Sequence, residues 1–398
     1  MDWQLVDRPL ILASYGVNLA IRARRALVGP RRHRGDAANI ISACIDDCWN
    51  GHCYTASPGY FHQFWTRDLC FSAVAIARRS DRDRGRVLAS LSWAIRAWRR
   101  RRSHITTTIH YFSQPVDVFD YGVDCLPLLL AALRALEGER IVERHRAWLQ
   151  REVEHYVDEV VDPDLGLVRT DRKFSAHRDT VVNRCNAYGN SMVALLADTA
   201  PRLGLRLPDP LRPIARDPAG LLTEVFWNEA GGYFVDRPGD TAPSGEGNLW
   251  PYWTGVVTDQ ARIRSSLATL AKQGFATPYP LRYEVTRDPA EEPLFVRTFM
   301  PNYQGTTAWT SLGSIYLQLL HHVDPESARE GIERYVAWIE RDGTFWEVLD
   351  GDTGRPYRSS FLTQSDASML WSAIFLDLIR HPDLPPAILS APVNEPQR

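Results

Sequence analysis

From residue 36 onward, apolar residues recur at three- and four-residue spacing, and little of the chain alternates at period two. Between Asp36 and Trp49 the positions Ile40, Ile41, Cys44, Ile45 and Cys48 share one face. Further helices are expected from near Arg67, over Arg84 to Arg101, Asp124 to Leu136, Val142 to Val160 and Thr180 to Ala197. The second half repeats the scheme less regularly, with Leu221 to Trp227, Asp259 to Lys272, Thr307 to Leu320, Glu326 to Ile339 and Gln364 to Ile379, and one strand at Gly231 to Asp236. Most helices come in consecutive pairs, separated by long loops rich in glycine, proline and aromatics. Antiparallel pairs joined by alternating short and long loops can close into a ring with the long loops at one end. The pattern therefore predicts an all-α chain, an (α/α)6 toroid with short strands in its loops. No fixed period marks a helical-repeat solenoid.

No linker divides the helical region. We read residues 1–35 as an N-terminal extension, 36–385 as one catalytic domain and 386–398 as a tail. The apolar run from Pro9 to Ala20 is shorter than the roughly 20 residues a membrane span needs and lacks the flanks of a signal peptide. As an amphipathic segment followed by Arg22, Arg24 and Arg25, it suits packing on the body or peripheral contact with a membrane surface.

Composition narrows the function. With 44% hydrophobic and 11% aromatic residues the chain can bury a large core, and its formal charge of −2 gives no bias towards nucleic acid. The arginine runs Arg22 to Arg34 and Arg99 to Arg102 are not interleaved with aromatics and read as solvated surface. The six cysteines contain no Cys-x-x-Cys pair and sit mostly in apolar patterns, as expected in a reducing, cytoplasmic compartment. Cys44, Cys48, Cys53 and His52 fit no standard zinc spacing, and phosphate loops, the Gly-x-Ser-x-Gly elbow and His-Glu-x-x-His are absent. We expect neither a cofactor nor a metal.

The chemistry gathers in the long loops, where aromatic rings stand beside acids and amides. These stretches run from Gly59 to Asp68, Phe119 to Asp124, Asn183 to Asn190, Gly247 to Trp253, Asn302 to Trp309 and Phe345 to Glu347. A sugar requires that mixture: flat apolar faces for its C–H side, carboxylates, amides and arginine for its hydroxyls. Each such aromatic could equally fill the core. Asp124 stands where a polar loop becomes an apolar helix, a place that also suits simple compensation of the helix dipole.

Three motifs resemble a family. Trp65-Thr-Arg67-Asp68 looks like the aromatic-x-Arg-Asp start of an inner helix in (α/α)6 six-hairpin glycosidases, which include alkaline/neutral invertases, debranching-type amyloglucosidases and relatives of processing α-glucosidase I and mannosylglycerate hydrolase. Val123-Asp124 followed by Cys-Leu-Pro-Leu-Leu-Leu is similar to their general-acid motif, without its usual tryptophan. Phe345-Trp-Glu347-Val-Leu-Asp350-Gly-Asp-Thr-Gly-Arg355 resembles the stretch that supplies their general base, without its proline.

The resemblance implies an inverting, exo-acting glycoside hydrolase for an α-glucoside or related small glycoside, with Asp124 as acid and Glu347 as base. Such a pair stands roughly 6.5–9.5 Å apart to admit water. Asp120 is the local rival to Asp124, and Asp350 with Arg355 is expected to keep Glu347 ionised. Candidate sugar-binding residues are Trp65, Arg67, Asp68, Tyr121, Asn186, Asn190, Trp250, Tyr252, Trp253, Gln304, Trp309 and Trp346. Two other functions compete: a sugar epimerase, isomerase or uronic-acid enzyme using His52, His62, His104, His110 or His177, and a non-catalytic carbohydrate-binding scaffold.

Overall fold

In the computed structural model, which describes residues 8–181 and 184–384, the apolar periodicity becomes a ring of helix pairs. The outer members are Ala37–Asp47, Asp81–Arg101, Glu139–Val160, the successive pieces Arg212–Arg216 and Pro218–Phe226, then Gln260–Lys272 and Pro325–Asp342. The inner member that follows each is Thr66–Ala77, Cys125–Ala135, Ala187–Arg202, Trp250–Trp253, Thr310–Val323 and Ser372–Arg380. Every residue of Thr66–Ala77 is buried, whereas Asp81–Arg101 buries one stripe centred on Val87, Leu91, Ile95 and Trp98. That difference is what separates a helix walled in on all sides from one half in water. Inner helices pack on one another in sequence around the ring, the sixth returns to the first, and Ala37–Asp47 closes the seam against Ser372–Arg380. The architecture is an (α/α)6 toroid.

Several outer helices are capped by acceptor side chains: Asp36 takes the Asn39 N–H, Ser80 that of Asp83 and Asp259 those of Ala261 and Arg262. Most inner helices begin differently. Trp65, Asp124, Trp309 and Trp371 precede them without a side-chain cap. Short antiparallel ladders hold two of these approaches in place, pairing Trp65 with Thr108 and Trp309 with Val348. Loop chemistry is thereby fixed at the mouth of the ring. The predicted strand is found as Tyr233–Phe234, paired with Trp227–Asn228.

Two expected helices start late. Thr180 to Ala197 begins only at Ala187, because the Asn186 side chain caps it by accepting the Gly189 N–H and Thr180 is tied to Gln304. Gln364 to Ile379 begins at Ser372, since Asp366 and Ser368 are engaged in loop hydrogen bonds and Ser368 has a left-handed φ of 57°. The N-terminal segment forms a helix, Arg8–Val28, that packs on the body. No helix among the described residues is long and apolar enough to cross a membrane. The tail at 386–398 lies outside the described residues.

Glu152 on the outer helix Glu139–Val160 reaches across to accept the Ile105 N–H at 3.0 Å, and burial pushes its pKa up to about 7. For a carboxyl raised in the folded state, the stabilisation is fully present below the ordinary value of 4.5 and is lost as pH rises through about 7. E152Q keeps the acceptor and removes the titration. Relative to wild type, its stability in urea unfolding should therefore improve by about 2 kcal/mol between about pH 5 and pH 8.

Candidate active site

A pocket opens at the end of the ring where the inner helices begin. The first inner helix and its approach give Phe61, Trp65, Arg67, Asp68 and Phe71; the loop before the third gives His177 and Asp179. Tyr303, Gln304, Trp309 and Ser311 come from around the start of the fifth, and Glu347 and Trp371 from before the sixth. Aromatic rings thus make the walls, and three carboxyl groups and one guanidinium, with His177, Gln304 and Ser311, supply the polar surface.

Arg67 is fixed from behind. Its Nε donates to Asp124 Oδ2 at 2.5 Å, its Nη2 to Ser175 Oγ at 3.3 Å, and its Nη1 lies 3.7 Å from Asp179 Oδ2. Tyr188 on the third inner helix donates its hydroxyl to the same Asp124 oxygen at 2.6 Å. Burial and Asp124 push the Tyr188 pKa well above its ordinary value, so the phenol keeps its proton. Burial opposes the Arg67 charge, but Asp124, Tyr188 and Asp179 more than restore it.

The pocket acids retain protons to unusual pH. Burial pushes Asp68 up to about 7 and Asp179 up to about 6, with Arg67 opposing in both cases. Glu347 rises furthest, to about 8, through burial partly offset by the Asp366 N–H at 2.9 Å and the Tyr303 hydroxyl. His177 is buried with Nδ1 2.6 Å from the Tyr283 hydroxyl, and burial and Arg67 hold it well below the usual histidine range as a neutral ring.

Of the residues anticipated from sequence, Trp65, Arg67, Asp68, Gln304, Trp309 and Glu347 meet on this wall. Asp124 does not. It has no exposed surface and stands behind Arg67, with Oδ2 held by the guanidinium and Tyr188 and Oδ1 against the Cys125 thiol at 3.4 Å. No face is left for a glycosidic oxygen. Asp120, its rival, lies exposed on the loop and off the wall. Tyr121 packs against His104, His155 and Tyr156. Asn186 is the cap already described, and Asn190 accepts the Val168 N–H at 2.9 Å. Trp250 is in the core against Tyr188 and His177, Trp253 donates to Gln318 at 3.1 Å, and Tyr252 shares a hydrogen bond with Ser266 at 2.7 Å. Trp346 donates to Asp342 at 2.8 Å, away from the pocket. Asp350 accepts from Thr353 within its own turn rather than accompanying Glu347.

Asp179 is a pocket residue not among those expected from the sequence. A signal was present: Arg178-Asp179 before the third inner helix repeats the Arg67-Asp68 dipeptide at the start of the first. Tyr303, Phe61, Phe71 and Trp371 were likewise hidden among similar aromatics.

No family model matches the chain. No curated protein matches it in sequence either. Solved structures do match in fold. A rhamnosidase from Klebsiella oxytoca with rhamnose bound superposes at a TM-score of 0.62 and 15% identity over 87% of this chain. The chain spans 63% of that protein's length. A glycosidase aligns at TM-score 0.59 and 17% identity over 91% of this chain and 97% of its own, and a mannosylglycerate hydrolase from Thermus thermophilus in complex with Tris at 0.56 and 15% over 86% and 100%. The (α/α)6 toroid is the fold this chain shares with these solved glycosidases. At such identities the likeness concerns the fold, and in the six-hairpin arrangement the pocket occupies the funnel at the N-terminal ends of the inner helices.

Removing either member of a buried ion pair leaves the other charge uncompensated. D124N and R67M should each destabilise the fold by about 3–5 kcal/mol in chemical denaturation, and the two losses should be far from additive in the double variant. Y188F removes one hydrogen bond and should cost about 1–2 kcal/mol.

Proposed function

We propose that the chain is an inverting, exo-acting glycoside hydrolase for an α-glucoside or related small glycoside, with Asp179 as general acid and Glu347 as general base. The observation that carries this reading is that the two carboxyl groups rise from the loops before the third and sixth inner helices, across the ring from each other, in one aromatic-walled pocket. Inversion needs that arrangement: one group protonates the leaving oxygen on one face of the sugar while the other activates water on the opposite face. Asp179 has the more exposed side chain and suits the outgoing aglycone; Glu347 is 1% exposed and suits the inner face. Arg67 and Asp68 grip hydroxyls of the sugar, and Trp65, Trp309 and Trp371 offer their rings to its C–H faces. The solved relatives in fold include proteins holding rhamnose and glucose, which supports a sugar as the occupant.

The pair must hold one proton between them. Asp179 near 6 and Glu347 near 8 give a bell-shaped rate profile with limbs at those two values, whichever member carries the proton in the resting site. In the resting site Glu347 takes the proton first, so the working arrangement, Asp179 protonated and Glu347 ionised, is the minor form under the bell.

A second reading has one specific support: among the histidines considered from sequence, His177 alone lies on the pocket wall. Its ring nitrogens are engaged by Tyr283 at 2.6 Å and Ser311 at 3.4 Å, which favours a structural part over proton transfer.

Reducing-sugar release should be measured on α-glucosides, sucrose, trehalose and mannosylglycerate. D179N and E347Q should each lower kcat by about 10²–10⁴-fold with unchanged unfolding behaviour. An aryl glycoside with a good leaving group should restore D179N and not E347Q, because only the acid becomes dispensable. Proton NMR of the first-formed sugar should show the inverted anomer. Folded D124N without activity beside an active D179N would return the acid role to Asp124; a retained anomer would discard the pair; and H177A inactive beside active D179N would favour the histidine chemistry.

A further inference from the structure

The wall that bears Glu347 is backed from outside the ring. The N-terminal helix Arg8–Val28 lies over the loop that leads into the first inner helix, where Asn18 accepts a hydrogen bond from Gln63 at 2.6 Å and Arg22 stacks 4.9 Å from the centre of the Tyr60 ring. One turn further on, the Arg25 guanidinium sits 6.0 Å from the centres of both the Tyr60 and Trp346 rings. Its Nε is 3.6 Å from Asp366 Oδ1, with the Arg25 side chain 12% exposed and that of Asp366 fully buried.

Asp366 is a junction. Its Oδ2 accepts from the Ser57 hydroxyl and from the Tyr60 N–H at 2.6 Å, which binds it to the loop carrying Phe61. Its backbone N–H donates to Glu347 Oε2 and its carbonyl accepts the Glu347 N–H, both at 2.9 Å. The loop comes so close that a Cβ at Gly59 would strike the carboxylate. Oδ1, by contrast, has no hydrogen-bond donor among the described residues and faces Arg25. A buried carboxylate needs a partner to offset its lost hydration, and here a helix outside the ring supplies it.

We propose that the N-terminal helix is a working part of the active site, with Arg25 acting as a positioning residue that holds the Glu347 carboxylate through Asp366. The inference rests on the glycosidase reading above and extends it to a segment none of whose described residues lies on the pocket wall. Glu347 is faced by Tyr303 and Tyr357 from the long loops, by Tyr60 and Asp366, and by Arg22 on the N-terminal helix. Asp366 favours the protonated form of Glu347 and Arg22 the ionised form. Arg25 acts on this balance by neutralising Asp366. Without it, Asp366 would press its full charge on a carboxyl group one backbone hydrogen bond away, and Glu347 would hold its proton to higher pH. The minor, productive form would become rarer.

The test is the pH dependence of kcat and KM in the full chain. R25Q should move the upper limb of the profile up by about one unit and lower kcat about tenfold, with KM within about twofold of wild type. R25K should keep both near wild type. D366N removes the charge that Arg25 neutralises, so D366N and R25Q/D366N should share one upper limb, and this comparison remains decisive if R25Q alone folds poorly. A loss of thermal stability in R25Q with an unmoved limb, or limbs that differ between D366N and the double variant, would overturn the proposal and leave the glycosidase reading standing. Absence of hydrolysis by the wild type would overturn both.

Discussion

The rest of the site depends on one buried ion pair. Arg67 belongs to the first inner helix, Asp124 stands at the start of the second and Tyr188 lies on the third, so a single carboxylate joins three neighbouring members of the ring. Such a pair contributes little net stability over a well-packed apolar alternative, because two charges must leave water. Its value is geometric. With Nε occupied by Asp124 and Nη2 by Ser175, the guanidinium can point in only one direction, and that direction is the pocket, where it meets Asp179. The pocket therefore has a cation whose orientation is set by groups no ligand touches.

Around that fixed charge the pocket is dry enough to distort three carboxyl groups. Asp68, Asp179 and Glu347 all rise towards or above the neutral range through burial, with Arg67 opposing the rise of the two aspartates. Asp179 beside Arg67 rises least; Glu347, whose carboxylate is met by the Asp366 N–H and the Tyr303 hydroxyl, rises most. One scaffold thus offers acids poised at different values without any difference in residue chemistry.

Much of the ring was legible in the chain. Apolar residues at three- and four-residue spacing marked most of the helices and their pairing, whereas the burial of every residue of Thr66–Ala77 beside the single buried stripe of Asp81–Arg101 is set by the packing of the ring. Glu347, Trp65, Arg67, Asp68, Gln304 and Trp309 were legible as residues of the mouth because each sits in a long connection or at the first turn of the inner helix it leads into. Asp124 was misplaced for a physical reason: an acid at the first turn of a buried helix looks the same in sequence whether it faces a ligand or an arginine 57 residues away. Asp179 was hidden by the apolar rhythm that follows it, which started the predicted helix at Thr180 and left the acid at a helix border rather than in a loop. Trp250, Tyr252 and Trp253 have the composition of a sugar platform and the burial of core, and only the packing of the ring tells these apart.

The closing of the ring has a consequence for how the protein comes into being. The pocket wall draws on residues 61–71, 177–179, 303–311, 347 and 371, and no two neighbouring inner helices contain it. Contacts between segments this far apart carry a large loop-closure cost and form late. Partial rings can assemble as the chain emerges from the ribosome, helix pair upon helix pair, each burying its apolar face against the last. Throughout that time the funnel stays open on one side, its aromatic rings facing water. Only when Ser372–Arg380 docks between the first inner helix and Ala37–Asp47 does the pocket exist at all. Synthesis thus delivers the protein in two conditions, an unfinished arc with an exposed aromatic lining and a finished ring without one, and the last seam decides between them.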